Sequence, residues 1–406
     1  MAAKFAFDRP DDALHALAGR LATTQVQPAI EVGSAVGRVL AQPIVADRDS
    51  PAADVSAMDG YAIRIHQLQT SRPISISAQA APGQPPPAMV EDAVVRIFTG
   101  AMIPPGAEAV IKREDTQESG HQIRLSDSAM TTRVGQHIRR AGENASAGDR
   151  VIPAGVSIHA GHVAAAINFS CFDVDVFAPV KVSVVTTGDE VGMFVNESPK
   201  PWQLQNSNSQ AIGSLLRRPW IDTVSSTHCV DDKETLIQTL TDRLAASDAV
   251  ILTGGVSMGD YDYVPDVVRH VGGKVVFHGL PIRPGKPILG AATPDGKLIL
   301  GLPGNPVSAT IGCRRMALPL LAKISGLNQW LPPAPFIHLE DCGYKTLPLH
   351  WMKLIRLTTS GTAEIVPSQG SGDLVSMSHS DGFVEVPPTV ADQSPNPSGP
   401  WPFYPW

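Results

Sequence analysis

The stretch "DAVILTGGVSMGDYDY", residues 248–263, decides the fold. Its apolar run ends at Thr253 and reads as a buried strand, followed at once by the pair Gly254–Gly255. A strand that stops at such a pair bares backbone N–H groups, which suit an anion. Yet Asp260 and Asp262 stand in the same loop, where they repel one. The loop poses a chemical question: what keeps carboxylates beside an anion cradle?

Working outward, residues 180–325 alternate strand and helix. "VKVSVVTT" (180–187) leads through a loop to a helix around Ser209–Arg218, and "TVSSTHCV" (223–230) precedes the helix "DDKETLIQTLTDRLAA" (231–246). After the quoted loop come the short helix "PDVVRHV" (265–271), strands "KVVFHG", "PILGA" and "KLILGLP", and a long helix starting near Asn305. This order predicts a doubly wound, mainly parallel sheet, whose ligands bind beyond the carboxyl ends of the strands.

The flanks differ in texture. "PDDALHALAGRLA" (10–22) places Leu14, Leu17, Ala18 and Leu21 at helical spacing, with Asp11 and Asp12 favouring its start. From about residue 30 to 150 short β-like runs, such as "RPISISAQA" and "DAVVRIF", are separated by Gly/Pro signals including "APGQPPP". A second helical stretch, "HAGHVAAAINF" (159–169), follows, and after Gly326 the strands "HWMKLIRLTT", "AEIVPS" and "DGFVEVPP" return to β texture. The tail "ADQSPNPSGPWPFYPW" (391–406) is proline-rich, and fraying is the expectation for it.

Composition bounds the function. The 406 residues suggest roughly two to four domains. With 43% apolar and 17% charged residues, the chain is that of a globular protein, and 35 glycines with 36 prolines imply many tight turns. The net charge of −7 without a Lys/Arg block argues against nucleic acid as a partner. No run is long and apolar enough to span a bilayer and the N-terminus lacks a signal-like core, so no membrane role and a cytoplasmic location are expected. Cys171, Cys229, Cys313 and Cys342 lack metal-ligand spacing and read as small core residues.

Four loops fall at strand ends: "TTGDE" (186–190), the quoted loop, "RPGKP" (283–287) and "LPGNPVS" (302–308). Each has an ordinary reading, Gly188–Asp189 as a turn and Asn305–Pro306 as a cap with a helix-starting proline. Together, in one α/β unit, they point to a ligand. Lys286 suits a phosphate as a point charge or is a solvated turn residue. Asp231–Asp232 reads as a helix N-cap. "SAMDGYAIR" (56–64) holds the turn pair Asp59–Gly60, and "IRRAGENAS" (138–146) sets Arg139 and Arg140 beside Glu143 and Asn144, as a surface ion pair would.

Taken jointly, "SAMDGYA", "TGAMIPPGAEAV", "IRRAGEN", "TTGDE", "GGVSMGDYDY", "RPGKP", "GLPGNPVSA" and "QGSGDLVSM" occur in one order. In them the chain resembles the molybdopterin molybdenumtransferases, the MoeA/gephyrin E-domain family, along nearly its whole length. The resemblance implies a multidomain α/β plus β architecture. It has a discontinuous helix-containing domain (1–44 and 147–178), a β-rich inserted domain (45–146) and a doubly wound molybdopterin-binding α/β domain (179–326). A C-terminal β-barrel-like domain (327–388) and the proline-rich tail (389–406) complete it. It also implies insertion of molybdenum from molybdate into adenylylated molybdopterin, with AMP released and Mg²⁺ required. A homodimer is implied, its site combining the α/β domain of one subunit with the β-rich domain of the other. Contacts with the molybdopterin adenylyltransferase and with recipient molybdoenzymes are further expectations.

The same resemblance assigns residues. Asp59, Asp231 and Asp262 are expected to position the metal, joined by Asn144, which stands where many members have Asp. Arg139 and Arg140 join the three aspartates as the catalytic set. Thr187, Gly188, Asp189, Glu190, Asn208, Gly254, Gly255, Ser257, Arg283, Lys286, Pro303, Gly304, Asn305 and Ser308 are expected to bind the cofactor. His278 and Arg283 occupy positions where lysines are common, and Asp260 falls where Glu is frequent. A hard cation between pyrophosphate and molybdate then explains the carboxylates in the cradle, since Mg²⁺ takes one or two of them plus phosphate oxygens and water. Two other readings stand beside this one. A molybdopterin adenylyltransferase needs only the 180–325 unit, and a non-catalytic scaffold of the same fold has no use for the dispersed aspartates.

Overall fold

A computed structural model describes residues 5–70, 72–194, 198–257, 262–340, 347–388 and 398–406. Asp260 lies outside them. The chain divides into two units, one comprising 1–42, 154–163 and 173–406, the other 43–153 and 164–172.

In the first unit the alternating segment forms a six-stranded sheet. Its strands in chain order are β1 (Val180–Thr187), β2 (Ile221–Cys229), β3 (Ala249–Thr253), β4 (Lys274–His278), β5 (Leu289–Ala292) and β6 (Leu298–Leu302). Their spatial order is β2-β1-β3-β6-β5-β4, the first four parallel and the last two added antiparallel. The helices are α1 (Ser207–Leu215), α2 (Lys233–Ala246), α3 (Val264–His270) and α4 (Pro306–Gly312), the last running on through a π-helical stretch (Cys313–Ala317) into α5 (Leu318–Ile324) as the long helix expected from Asn305. The parallel core and its winding are those predicted, with element ends displaced by a few residues.

The period of two decides which residue meets which helix. Val182, Val184 and Ile251 pack with Ile212 and Leu215 of α1, whereas Val185, Val250 and Leu252 pack with Leu236, Leu240 and Leu244 of α2. The leucines of α2 recur every four residues, so they share one face. Each contributes about 2 kcal/mol by leaving water. Asn206 caps α1 by accepting from Ser209 N at 3.1 Å, and Asp232 caps α2 by accepting from Thr235 N at 2.8 Å. The cap of the acidic pair is thus Asp232, and Asp231 is left for another use. The helix Pro10–Ala18 buries Ala13, Leu14, Leu17 and Ala18 in the α1-side cluster, as its spacing predicts.

A second sheet in this unit runs Ile282–Arg283, His350–Leu357, Gly382–Val386, Trp401–Pro405, Phe336–Ile337. The expected fraying of the tail is corrected here. Trp401–Pro405 pairs antiparallel with Gly382–Val386 and with Phe336–Ile337. Tyr404 stacks on Phe383 with ring centroids 5.1 Å apart, and Trp406 Nε1 donates to Ser380 O at 3.1 Å. Aromatic burial outweighs the donors that the prolines lack.

A buried ionic network ties the helix Pro10–Ala18 to this sheet. Arg315, only 3% exposed, donates from Nε to Glu385 Oε2 (2.7 Å) and from a terminal nitrogen to Asp11 Oδ1 (2.6 Å). His350 Nδ1 lies 2.7 Å from Glu385 Oε1, an ion-pair distance without hydrogen-bond alignment. Burial pushes the Glu385 carboxyl up, but His350 and Arg315 outweigh it and hold the group down at about 2.

The second unit carries another six-stranded sheet, in the order Ala109–Lys112, Gly60–Ile63, Ala93–Ile97, Ile74–Ala80, Gln122–Leu125, Thr116–Ser119. Gly60 opens a fully buried strand rather than completing a turn. A Cβ there would lie 1.8 Å from the Ile111 carbonyl oxygen, so close backbone approach explains the glycine. Among the described residues no helix is long and apolar enough to cross a membrane.

Glu385 makes the network pH-dependent. Its folded pKa is depressed, so its stabilisation is complete above the ordinary Glu range and is lost as pH falls from about 4.5 towards 2. Relative to a Glu385→Gln variant, the wild type is expected to lose about 3 kcal/mol of unfolding free energy across that window. At neutral pH the variant, which leaves Arg315 underpaired, is expected to be less stable by about 3 kcal/mol. Denaturant unfolding at a series of pH values checks both.

Candidate functional site

The chain leaves β1 for β2 on one side and returns to β3 on the other, so the winding reverses between β1 and β3. At such a point the loops beyond the carboxyl ends diverge and leave a crevice. Here it is a cleft of about 830 Å³. Of the predicted residues, Thr187, Gly188, Glu190, Asn208, Asp231, Gly254, Gly255, Ser257, Asp262, Pro303, Gly304 and Asn305 line it.

The loop after β3 is shaped as an anion cradle. Gly254 and Gly255 take φ of 98° and 60°, conformations that side chains disfavour. A Cβ on Gly254 would lie 2.5 Å from Thr187 Oγ1. Gly254 N donates to Leu302 O (3.1 Å), Gly255 O accepts from Val264 N (3.2 Å), and Val256 O accepts from His278 Nε2 (2.8 Å). The N–H groups of Gly255, Val256 and Ser257 donate to no other described residue. Asn208 links the loops after β3 and β6, donating from Nδ2 to Thr253 Oγ1 and to Gly304 O, each at 2.8 Å. Among the described residues its Oδ1 and the Thr187 hydroxyl are buried without a hydrogen-bond partner. Buried polar atoms seldom stay unpaired, so both point to a ligand.

Among the described residues the acids of this cleft are Glu190, Asp231 and Asp262, and no lysine or arginine lines it. Burial, then the charges of Asp189 and Glu190, push the Asp231 carboxyl up. Asp189 does not line the cleft. Its Oδ1 accepts from Asp231 N at 3.1 Å. Among the described residues no three His, Cys, Asp or Glu side chains stand close enough to hold a metal by themselves. The donor set fits Mg²⁺, which draws on one or two carboxylates and completes its shell with ligand oxygens and water.

A second cleft of about 740 Å³ shares Pro287, Pro303 and Asn305 with the first. Arg283, Lys286 and Ser308 belong to its lining, a correction to the single-site expectation. The sequence reading missed Lys353, Trp351, Ser368 and Ser371, also on this lining, and Gly372 and Leu374 in the first cleft. The motif "QGSGDLVSM" (369–377) is the available signal for Ser371, Gly372 and Leu374. Lys353 sits 4.1 Å over the Trp351 ring, and among the described residues no carboxylate lines the second cleft. His278 lines neither cleft.

The remaining predicted residues lie in the second unit. Asp59 Oδ1 accepts from Thr99 N and Thr99 Oγ1, each at 2.8 Å, and these bonds hold its exposed carboxyl below the usual range. Arg139 donates to Glu143 Oε1 and, at 2.9 Å, to Asn144 Oδ1. Arg140 pairs with Asp54, which sequence reading missed. Asp54 also accepts from Ala141 N at 2.9 Å. With its oxygen accepting from a guanidinium, Asn144 anchors Arg139.

Fold and site define a multidomain protein whose doubly wound α/β domain presents an N–H cradle at its switch point. Residues 9–170 match the MoeA N-terminal region (domain I and II), 183–323 a probable molybdopterin binding domain, and 349–396 the MoeA C-terminal region (domain IV). The chain is 31% identical over 325 residues to the molybdopterin molybdenumtransferase of Nostoc sp., covering 78% of this chain and 74% of that one. With the enzyme of the same name from Staphylococcus aureus it shares 30% over 374 residues, covering 89% and 87%. The crystal structure of the molybdopterin biosynthesis MoeA protein from Pyrococcus horikosii superposes with a TM-score of 0.73 at 25% identity, over 94% of each chain. The chain belongs to the MoeA family.

Two glycine substitutions are expected to act with opposite sign. Gly254→Ala forces a Cβ onto Thr187 at positive φ and is expected to cost about 1–3 kcal/mol. Gly213→Ala, in α1 where a Cβ meets nothing within 4 Å, is expected to be neutral or to gain up to about 1 kcal/mol. Chemical denaturation of both variants checks the contrast.

Proposed function

We propose that the chain inserts molybdenum from molybdate into adenylylated molybdopterin and releases AMP, with Mg²⁺ as the required ion. Membership of the MoeA family supports the transferase role in molybdenum cofactor biosynthesis. One observation carries the finer statement: among the described residues two contiguous clefts differ in charge, acids with an N–H cradle lining one and cations without carboxylates lining the other.

In this reading the N–H groups of Gly255, Val256 and Ser257 bind the phosphoanhydride, and Asp231 and Asp262 hold Mg²⁺ against it. When bound, Mg²⁺ neutralises charge and acts as a Lewis acid at the phosphoanhydride. The Thr187 hydroxyl and Asn208 Oδ1 orient a polar edge of the ligand. Arg283, Lys286 and Lys353 bind the molybdate dianion in the adjoining cleft and neutralise it as it approaches. Asp59, Arg139 and Arg140 act in a homodimer, supplied by the partner copy. Asp54 and Glu143 keep the two guanidiniums in place.

Asp59→Asn and Asp262→Asn are each expected to reduce molybdate-dependent AMP release about a hundredfold or more while the fold survives. A homodimer that shares its sites adds a sharper expectation. Half of the dimers in an equal mixture pair the two variants, and each mixed dimer holds one intact site, so the mixture regains about a quarter of wild-type turnover. Wild-type turnover in either variant removes that residue from the mechanism. No recovery in the mixture removes the shared site.

A further inference from the structure

The cradle's shape depends on a residue outside the cleft. A peptide unit is planar and trans, so its C=O and the following N–H point in opposite directions. Fixing a carbonyl towards the protein therefore aims the next N–H away from it. Two consecutive carbonyls of the cradle are fixed in this way: Gly255 O by Val264 N at 3.2 Å, and Val256 O by His278 Nε2 at 2.8 Å. The first sets the direction of Val256 N–H and the second that of Ser257 N–H.

The side chain of Val256 is held as well. It is 2% exposed, and a Cβ on Gly301 would lie 2.7 Å from its Cγ1. Strand β6 thus leaves room for Val256 from below, while β4 supplies His278 at its end. A carbonyl oxygen only accepts, so Nε2 of His278 carries the proton. That donor exists in the neutral Nε2–H tautomer and in the imidazolium alike.

We infer that His278 is a positioning residue: by donating to Val256 O it turns Ser257 N–H towards the anion. The inference rests on the reading of this loop as a phosphate cradle and adds to it a part for a residue that touches no ligand. A phosphoanhydride is the chemical class it serves, and inorganic pyrophosphate is the simplest probe. Losing one such bond weakens binding about tenfold.

The test uses the full, deuterated and ¹⁵N-labelled chain, with pyrophosphate added while the amides of Val256 and Ser257 are followed by NMR. In the wild type the His278 imidazole is expected to carry its proton on Nε2, and both amides shift on titration. In His278→Leu the same shifts are expected to need about tenfold more pyrophosphate. In His278→Gln, whose side-chain amide reaches the same carbonyl, they return to within about threefold of the wild type. An Nδ1–H tautomer, amides that ignore pyrophosphate, a Leu variant that titrates like the wild type, or a Gln variant no better than Leu each overturns the inference. Failure of molybdate-dependent turnover with these shifts intact removes the enzymatic reading and leaves the positioning of the cradle standing.

Discussion

A strand buried on both faces has no room for charged side chains until it ends. Every residue of β3 and β6 is buried, and β1 exposes only Lys181. Chemistry is thereby forced to the carboxyl edge, where Thr187, Thr253 and Leu302 hand over to loops. Those loops are pinned through their carbonyls and through Asn208, and their N–H groups remain for a ligand. The cleft follows from core packing as much as from any residue within it.

Electrostatics then divides the site. A carboxylate about 5 Å from a phosphate charge is opposed by roughly 3 kcal/mol at the effective dielectric of a partly buried site. Glu190, Asp231 and Asp262 line the cleft beside an N–H cradle, and among the described residues no lysine or arginine lines it to offset them. The raised Asp231 carboxyl registers the same crowding. The neighbouring cleft differs in character: Arg283, Lys286 and Lys353 line it, and among the described residues no carboxylate does.

Much of this was legible in the sequence, for a local reason. Strand runs of the α/β domain are uninterrupted and apolar, and their turns are marked by glycine, so fold and cradle read directly. Family order of the motifs supplied the dispersed aspartates. Non-local facts were hidden. Whether "WPFYP" frays depends on Phe383 and Pro335, far away in the chain. Gly60 looked like a turn residue because the Ile111 carbonyl that excludes a side chain lies on another strand. The bonds from Arg139 to Asn144 and from His278 to Val256 O join residues that no local pattern pairs. Lys353 sits in a strand of ordinary β texture, where nothing local marks it.

The central claim is that a divalent cation reconciles the acids of the first cleft with an anionic ligand. Calorimetric titration of adenylylated molybdopterin into the protein, with Mg²⁺ and again with chelator, tests it most directly. The account expects at least about tenfold tighter binding with Mg²⁺, and by linkage an equal gain in Mg²⁺ affinity when the ligand is present. Equal affinity under the two conditions would contradict it.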